Sequence, residues 1–287
     1  MSHLVVGCGY LGSRVAQSWI SDGKDVCALT RSSESADKLR SMGIRPLVAD
    51  VSDARSLNDL PKFQTVLFSL GFDRTAGQNI EDVYVGGLAN TLGALSNSVS
   101  RFIYISSTGV YSQNGGELID ENSECRPQTS GGIACLKAEA LLDEHSTGKV
   151  AVVLRLAGIY GPDRIPRMAQ LQRSEPFPCR RDGFLNLIHV DDAVQAVLGA
   201  EQVETTGRFI VADGNPVVRG EFYDFLAEKL RTDVNYTEID ASSSRGQRAS
   251  SSKRCDNRKM LEHLNVRLKY PSFREGLSAI LDEMQSH

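Results

Sequence analysis

The sequence predicts an α/β protein built on a doubly wound parallel sheet, and three observations carry that expectation. Short apolar, β-rich runs recur through the first half of the chain: HLVVG, DVCALT, IRPLVAD, TVLFSLG, RFIYISS and KVAVVLRLAGIYG. Helix-length segments separate them, as parallel strands joined by crossover helices require. The stretch LVVGCGYLGSRVA, from Leu4 to Ala16, sets Gly7, Gly9 and Gly12 between the first strand and the first helix in a G-x-G-x-x-G pattern.

That turn makes the predicted sheet Rossmann-type and gives each glycine a task. Gly7 permits the tight strand-to-helix turn, Gly9 lets backbone approach a pyrophosphate, and Gly12 lets the helix from Leu11 to Ile20 pack on the sheet. The stretch Gly7, Cys8, Gly9, Tyr10, Leu11 and Gly12 is therefore the expected dinucleotide cradle; a purely structural glycine turn is the alternative. At the end of the second strand the chain reads Ala28-Leu29-Thr30-Arg31-Ser32, without the acid that would hold the free ribose hydroxyls of NAD. Arg31 can pair with a 2′-phosphate and Ser32 can add a hydrogen bond, so NADP is expected, with NAD as the alternative cofactor. If Arg31 is merely solvated, that preference disappears.

The third strand ends in LVADVSD, where Asp50 and Val51 are placed to meet adenine, or Asp50 caps a helix starting near Asp53. Ser69, Leu70 and Gly71, closing the fourth strand, complete the expected cofactor set. From Ile80 to Val99, apolar residues Ile80, Tyr84, Leu88, Leu92, Leu95 and Val99 recur at helical spacing. Gly86 and Gly87 inside that helix cost about 1 kcal/mol each relative to Ala, which points to close packing against a strand or cofactor. After Pro162 the texture changes. The proline- and arginine-rich stretch from Asp163 to Phe184 reads as an excursion into a smaller lobe, Glu221 to Leu230 as an amphipathic helix, and Ala241 to Ser252 as a mobile serine-rich segment. The expected organisation is a dinucleotide-binding domain over 1–160 and a substrate lobe over 161–287, with about 186–212 returning to the first domain.

Composition narrows the partners. The 287 residues are 41% hydrophobic with a formal charge of −4, without the basic excess of nucleic-acid binders, and no apolar run approaches a membrane span. A small-molecule substrate in a cytoplasmic setting is the expectation, with no nucleic acid and no membrane. The six cysteines Cys8, Cys27, Cys125, Cys135, Cys179 and Cys255 show no C-x-x-C spacing, so reduced, mostly buried thiols are expected and no metal site.

The stretches GCGYLG, ISSTGVYS, DENSECRP, LRLAGIYGP and NLIHVDDAV, in this order, resemble the extended short-chain dehydrogenase/reductase superfamily, in an atypical epimerase/dehydratase-like branch. The resemblance runs end to end. It implies hydride chemistry on nicotinamide, with a Tyr as general acid/base, a Lys four residues later that lowers its pKa, and a Ser that hydrogen-bonds the substrate oxygen. Ser107 matches the serine. The tyrosine has no match: with Lys137 as the lysine its position is Ile133, and anchoring on Ala138-Glu139 gives Gly131 and Cys135 instead. The acidic pair of sugar-nucleotide dehydratases falls on Thr108 and Gly109, so standard sugar 4,6-dehydration is not expected.

Substitutes are few. Tyr84, where the resemblance implies an Asn, is either core packing or an acid reaching the pocket; Lys137 points to the ribose or to solvent. Tyr111 is structural by resemblance, and Cys135 can act only with a depressed pKa. His189 is expected to anchor the second lobe, with Asp191 or Asp192 capping the next helix, while Arg164, Arg167, Arg180 and Arg181 either clamp an anionic substrate or are solvated. Two function classes follow: an NADP-dependent oxidoreductase or epimerase acting on a small polar, sugar-nucleotide or phosphorylated substrate, or a non-catalytic NADP(H) redox sensor. The resemblance also implies a homodimer through helices such as Ile80 to Val99 and the one running through Leu141.

Overall fold

The computed structural model describes residues 2–73, 77–95, 99–239, 246 and 251–285. Most of the serine-rich segment expected to be mobile lies outside the described residues. The chain divides into two compact units, one made of 1–107, 131–155 and 196–209, the other of 108–130, 156–195 and 210–287.

The first unit is organised by strands β1 (Ser2–Val6), β2 (Asp25–Thr30), β3 (Arg45–Val48), β4 (Thr65–Phe68) and β5 (Arg101–Ser107). With strands Ala151–Leu156 and Gly207–Val211 they form a seven-stranded sheet in the order Gly207–Val211, Ala151–Leu156, β5, β4, β1, β2, β3. Leu4 of β1 pairs in parallel register with Cys27 of β2 on one side and Val66 of β4 on the other. The chain therefore winds outward in both directions from β1, and the crevice beyond the carboxyl ends of β1 and β4 is where this topology binds ligands. All four residues of β4 and all six of Ala151–Leu156 are buried, the continuous apolar pattern of strands covered on both faces.

Helices α1 (Tyr10–Ser21) and α2 (Ser33–Ser41) follow β1 and β2. The predicted helix from Ile80 ends earlier than its periodicity suggests. A π-helical turn at Asp82–Gly86 leads into α3 (Gly87–Ala94), and Leu95 is already extended, so Val99 is not part of the helix. Gly87 earns its place, because a Cβ there would stand 2.9 Å from Val51 Cγ2; Gly86 faces open space. Helix α4 spans Ser130–Glu144. Leu88, Leu92, Ala138 and Leu142 from α3 and α4 cover Leu4, Val66, Phe68, Phe102 and Tyr104 of the sheet.

The second unit has its own core, in which Tyr160, Phe177, Phe222, Leu226 and Phe273 are buried together. Its amphipathic helix spans Arg219–Leu230, two residues longer at its start than expected. The Asp163–Phe184 stretch is irregular, with Asp163, Arg167 and Ser174 at positive φ around the short helix Met168–Gln172. His189 is packed between Tyr160 and Tyr270, and its Nδ1 accepts from the Asp191 amide at 3.2 Å. The expected cap is thus corrected: the imidazole, not Asp191 or Asp192, caps the helix Val190–Gln202. Asp192 instead accepts from the Lys269 and Tyr270 amides at 2.7 and 3.0 Å.

Candidate active site

A cleft of about 1040 Å³ opens in the first unit, lined at its centre by Gly7, Cys8, Gly9 and Tyr10. Gly7 adopts φ +94°, and a Cβ there would meet the Leu70 backbone at 2.7 Å. Ser69 Oγ donates to the Gly7 carbonyl at 2.9 Å and fixes the turn from the β4 side. A Cβ on Gly12 would run into the same carbonyl oxygen, which makes glycine obligatory for seating α1. Gly9 differs from both. Nothing lies within 4 Å of where its Cβ would be, so the backbone at the start of α1 presents open space to the cleft. The first turn of α1 carries no acid, leaving the positive end of the helix dipole uncancelled. Burial pushes the Cys8 thiol up to about 11, so no thiolate opposes an anion there. This cradle fits a dinucleotide pyrophosphate.

Of the other cofactor residues expected from sequence, Arg31, Ser32, Asp50, Val51, Leu70 and Gly71 line the same cleft. Leu11, Gly12 and Ser69 do not line it; they hold the turn from behind. Arg31 Nη1 lies 3.4 Å from Gln78 Oε1 on an exposed surface, and Ser32 caps α2 by accepting from the Ser35 amide at 3.2 Å. Lys38 and Ser35, on α2, also line the cleft and were not anticipated. Their spacing from Arg31 was visible, but nothing in the sequence showed which face of so polar a helix turns inward. Asp50 keeps its place on the cleft wall, its Oδ1 accepting from the Ser52 amide at 2.8 Å. The capping alternative belongs to Asp53, whose Oδ1 accepts from the Arg55 amide.

Ser107 closes β5, half-buried, and Tyr84 lies inside the π-helical turn with its ring edge-on to Phe72 at 6.4 Å. Tyr84 is near enough to bear electrostatically on the buried Tyr104 hydroxyl, three residues before Ser107. π-Helical turns concentrate at functional sites, because the extra residue re-aims a side chain. Lys137 pairs its exposed ammonium with Glu81, the residue just before that turn, at 2.7 Å. Ile133 is half-buried and carries no acid/base group. Burial and the nearby Glu139 push the Cys135 thiol up to about 11, the opposite of what a nucleophile needs.

Directly behind Ser107 lies a network the sequence reading missed. Ser106 Oγ donates to Glu139 Oε1 at 2.6 Å; Arg155 donates to both carboxylate oxygens, Nε to Oε1 at 3.0 Å and Nη2 to Oε2 at 2.6 Å. Arg208 adds a bond from Nε to Oε2 at 3.0 Å and continues to Asp143. Glu139 is fully buried and Arg155 is 3% exposed. Burial alone would raise the Glu139 pKa, but the bonds from Arg155, Ser106 and Arg208 outweigh it and hold the carboxyl below its ordinary range. The network ties the end of β5 to α4 and to the two strands beyond it. One signal was available: Arg155 interrupts the otherwise apolar run AVVLRL.

Among the described residues no His, Cys, Asp or Glu cluster could hold a metal, and no helix is long and apolar enough to cross a membrane. A family model described as the NAD dependent epimerase/dehydratase family matches residues 3–211. The chain belongs to this family. Its members include nicotinamide dinucleotide-binding oxidoreductases of the epimerase, dehydratase and reductase type, and the seven-stranded Rossmann-type sheet and glycine cleft are those of the family. A 4-hydroxy-2-methyl-3-oxo-4-farnesyl-3,4-dihydroquinoline-1-oxide ketoreductase from Stigmatella aurantiaca is 25% identical over 236 residues, 77% of this chain and 71% of that protein. Two solved structures share the fold at TM-score 0.83: the UDP-glucose 4-epimerase of Thermotoga maritima with UDP-glucose, 20% identical over 100% of this chain and 99% of that one, and WbmG of Bordetella bronchiseptica in complex with NAD, 22% identical over 100% and 94%.

Proposed function

We propose that this family member is an NADP-dependent oxidoreductase or epimerase acting on a small polar substrate of the sugar-nucleotide or phosphorylated type. The observation that carries the reading is the cleft wall itself, which Arg31 and Lys38 line together, Lys38 at 3.3 Å from Glu34, with Asp50 and Asp73 as the acids of the lining. A nicotinamide dinucleotide bound there supplies or accepts the hydride. The chain's own residues do the rest. The Gly7–Gly9 backbone and the α1 amino terminus hold the pyrophosphate, Arg31 and Lys38 hold the 2′-phosphate, Ser107 orients the substrate oxygen, and Tyr84 or a water moves the proton. Purified protein screened for NADPH oxidation against sugar nucleotides, sugar phosphates and simple carbonyl compounds should turn over a member of one class. Ser107→Ala should then lower kcat at least 100-fold, and turnover at the parent rate would remove Ser107 from the site.

A second reading rests on Ile133 and on Lys137. With no tyrosine at the expected position and the lysine engaged by Glu81, the chain suits a non-catalytic NADP(H) sensor. Tight NADPH binding with no consumption across the whole screen would favour it.

A further inference from the structure

Arg31, the cation at the end of β2, is held from the far side of the cleft. Its Nη1 donates to Gln78 Oε1 at 3.4 Å, and both residues line the cleft. Arg31 follows β2, Gln78 lies in the segment after β4, and β1 with its glycine turn stands between those two strands. The bond therefore ties one side of the crevice to the other.

The backbone is fixed at both ends of this bond. Arg31 comes directly before Ser32, whose side chain caps α2, and directly after Thr30, whose carbonyl accepts from the Ala49 amide at 2.9 Å. Gln78 comes directly after Gly77, where the chain turns at φ +68°, and directly before Asn79. Asn79 Oδ1 accepts from the Glu81 amide at 2.9 Å and so starts the helical turn at Ile80. Two capped helix starts thus aim a guanidinium and a carboxamide at each other.

The chemistry of the pair favours an anion. Among the described residues no carboxylate pairs with Arg31, whereas Lys38 has Glu34 at 3.3 Å. The carboxamide takes one N–H of the guanidinium through its oxygen and leaves the charge and the remaining donors uncommitted. A long arginine side chain gives up rotamer freedom when it binds, and one already tied down has less left to lose. We propose that Gln78 is a specificity-determining residue, which positions Arg31 in the cleft for a phosphorylated ribose, so that both sides of the crevice share the selection of NADP over NAD. This rests on the NADP reading above and adds to it a residue that acts through Arg31.

The test is calorimetric titration of 2′,5′-ADP and 5′-AMP, which differ only by the 2′-phosphate. The proteins are wild type, Gln78→Ala, Gln78→Glu, Arg31→Ala and the double variant Arg31→Ala/Gln78→Ala, with circular dichroism as the check on folding. Wild type should bind 2′,5′-ADP at least ten-fold more tightly than 5′-AMP. Gln78→Ala should weaken 2′,5′-ADP at least three-fold, leave 5′-AMP within two-fold, and add nothing once Arg31 is gone. Gln78→Glu, whose carboxylate pairs with the guanidinium and opposes the phosphate, should weaken 2′,5′-ADP at least ten-fold. Unchanged 2′,5′-ADP binding in Gln78→Ala overturns the inference even where Gln78→Glu binds poorly, since charge repulsion alone accounts for the latter. Equal loss of both nucleotides overturns it too, as does a further loss from Gln78→Ala in the Arg31→Ala background. Those outcomes leave the NADP reading standing wherever Arg31→Ala removes the preference for 2′,5′-ADP. Equal binding of the two nucleotides by wild type overturns that reading, and the inference with it.

Discussion

Replacing Glu139 by Ala is expected to destabilise the first unit by about 3–5 kcal/mol, the cost of stranding a buried charge by removing its partner. Arg155 is 3% exposed and gives the carboxylate two hydrogen bonds; without Glu139 its guanidinium stays buried and loses both. Arg208 keeps Asp143 and suffers less. Glu139→Gln retains the oxygen for Arg155 Nε and should lose less than Ala does. The single tryptophan, Trp19, is buried in this unit, so its fluorescence during urea unfolding reads the loss where it occurs. The pH dependence has a fixed sign. Because the folded carboxyl is held below its ordinary range, its contribution is present above the unfolded glutamate pKa and is lost as pH falls through the folded value. An unchanged urea midpoint for Glu139→Ala would show that the network carries no stability.

Asp213→Asn is expected to act in the opposite direction and to stabilise the second unit at pH 8. Asp213 is 6% exposed; its Oδ1 accepts from the Asn215 amide, while Oδ2 is buried with no partner among the described residues. Burial first, and then the charges of Asp192 and Glu275, push its carboxyl up to about 7. Between the unfolded value near 4 and this one, the folded chain holds a proton that the unfolded chain has released. Stability therefore falls as pH rises through that window, by about 1.4 kcal/mol per pH unit at most, and then levels off. The asparagine cannot ionise, so its gain over wild type should grow from pH 4 to pH 7 to a few kcal/mol. Parallel stability curves for the two proteins, followed by circular dichroism, would mean that Asp213 does not titrate in this window.

The fold was legible because its signals are local and redundant. Apolar β-rich runs gave β1 to β5 in order, and the glycine turn needed only Gly7, Gly9 and Gly12. Where sequence reading stopped, the missing information was spatial. The expected helix from Ile80 runs too far, since an apolar period persists in sequence past the point where Leu95 turns extended. Lys38 was passed over because a polar helix has no apolar stripe to orient it. Glu139 and Arg155, sixteen positions apart, meet only after α4 packs on the sheet. The cap expected from a neighbouring aspartate belongs instead to the His189 ring, since its Nδ1 reaches the Asp191 amide only once the ring is packed between Tyr160 and Tyr270.

The central claim is that the cleft above β1 and β4 holds NADP(H), with Arg31 selecting the phosphorylated form. The measurement that meets it most directly is a fluorescence titration of NADPH and NADH into wild type and Arg31→Ala. NADPH should bind at least ten-fold more tightly than NADH to wild type, and Arg31→Ala should bring the two affinities together by weakening NADPH alone. Equal affinities for the two nucleotides in wild type would contradict the account.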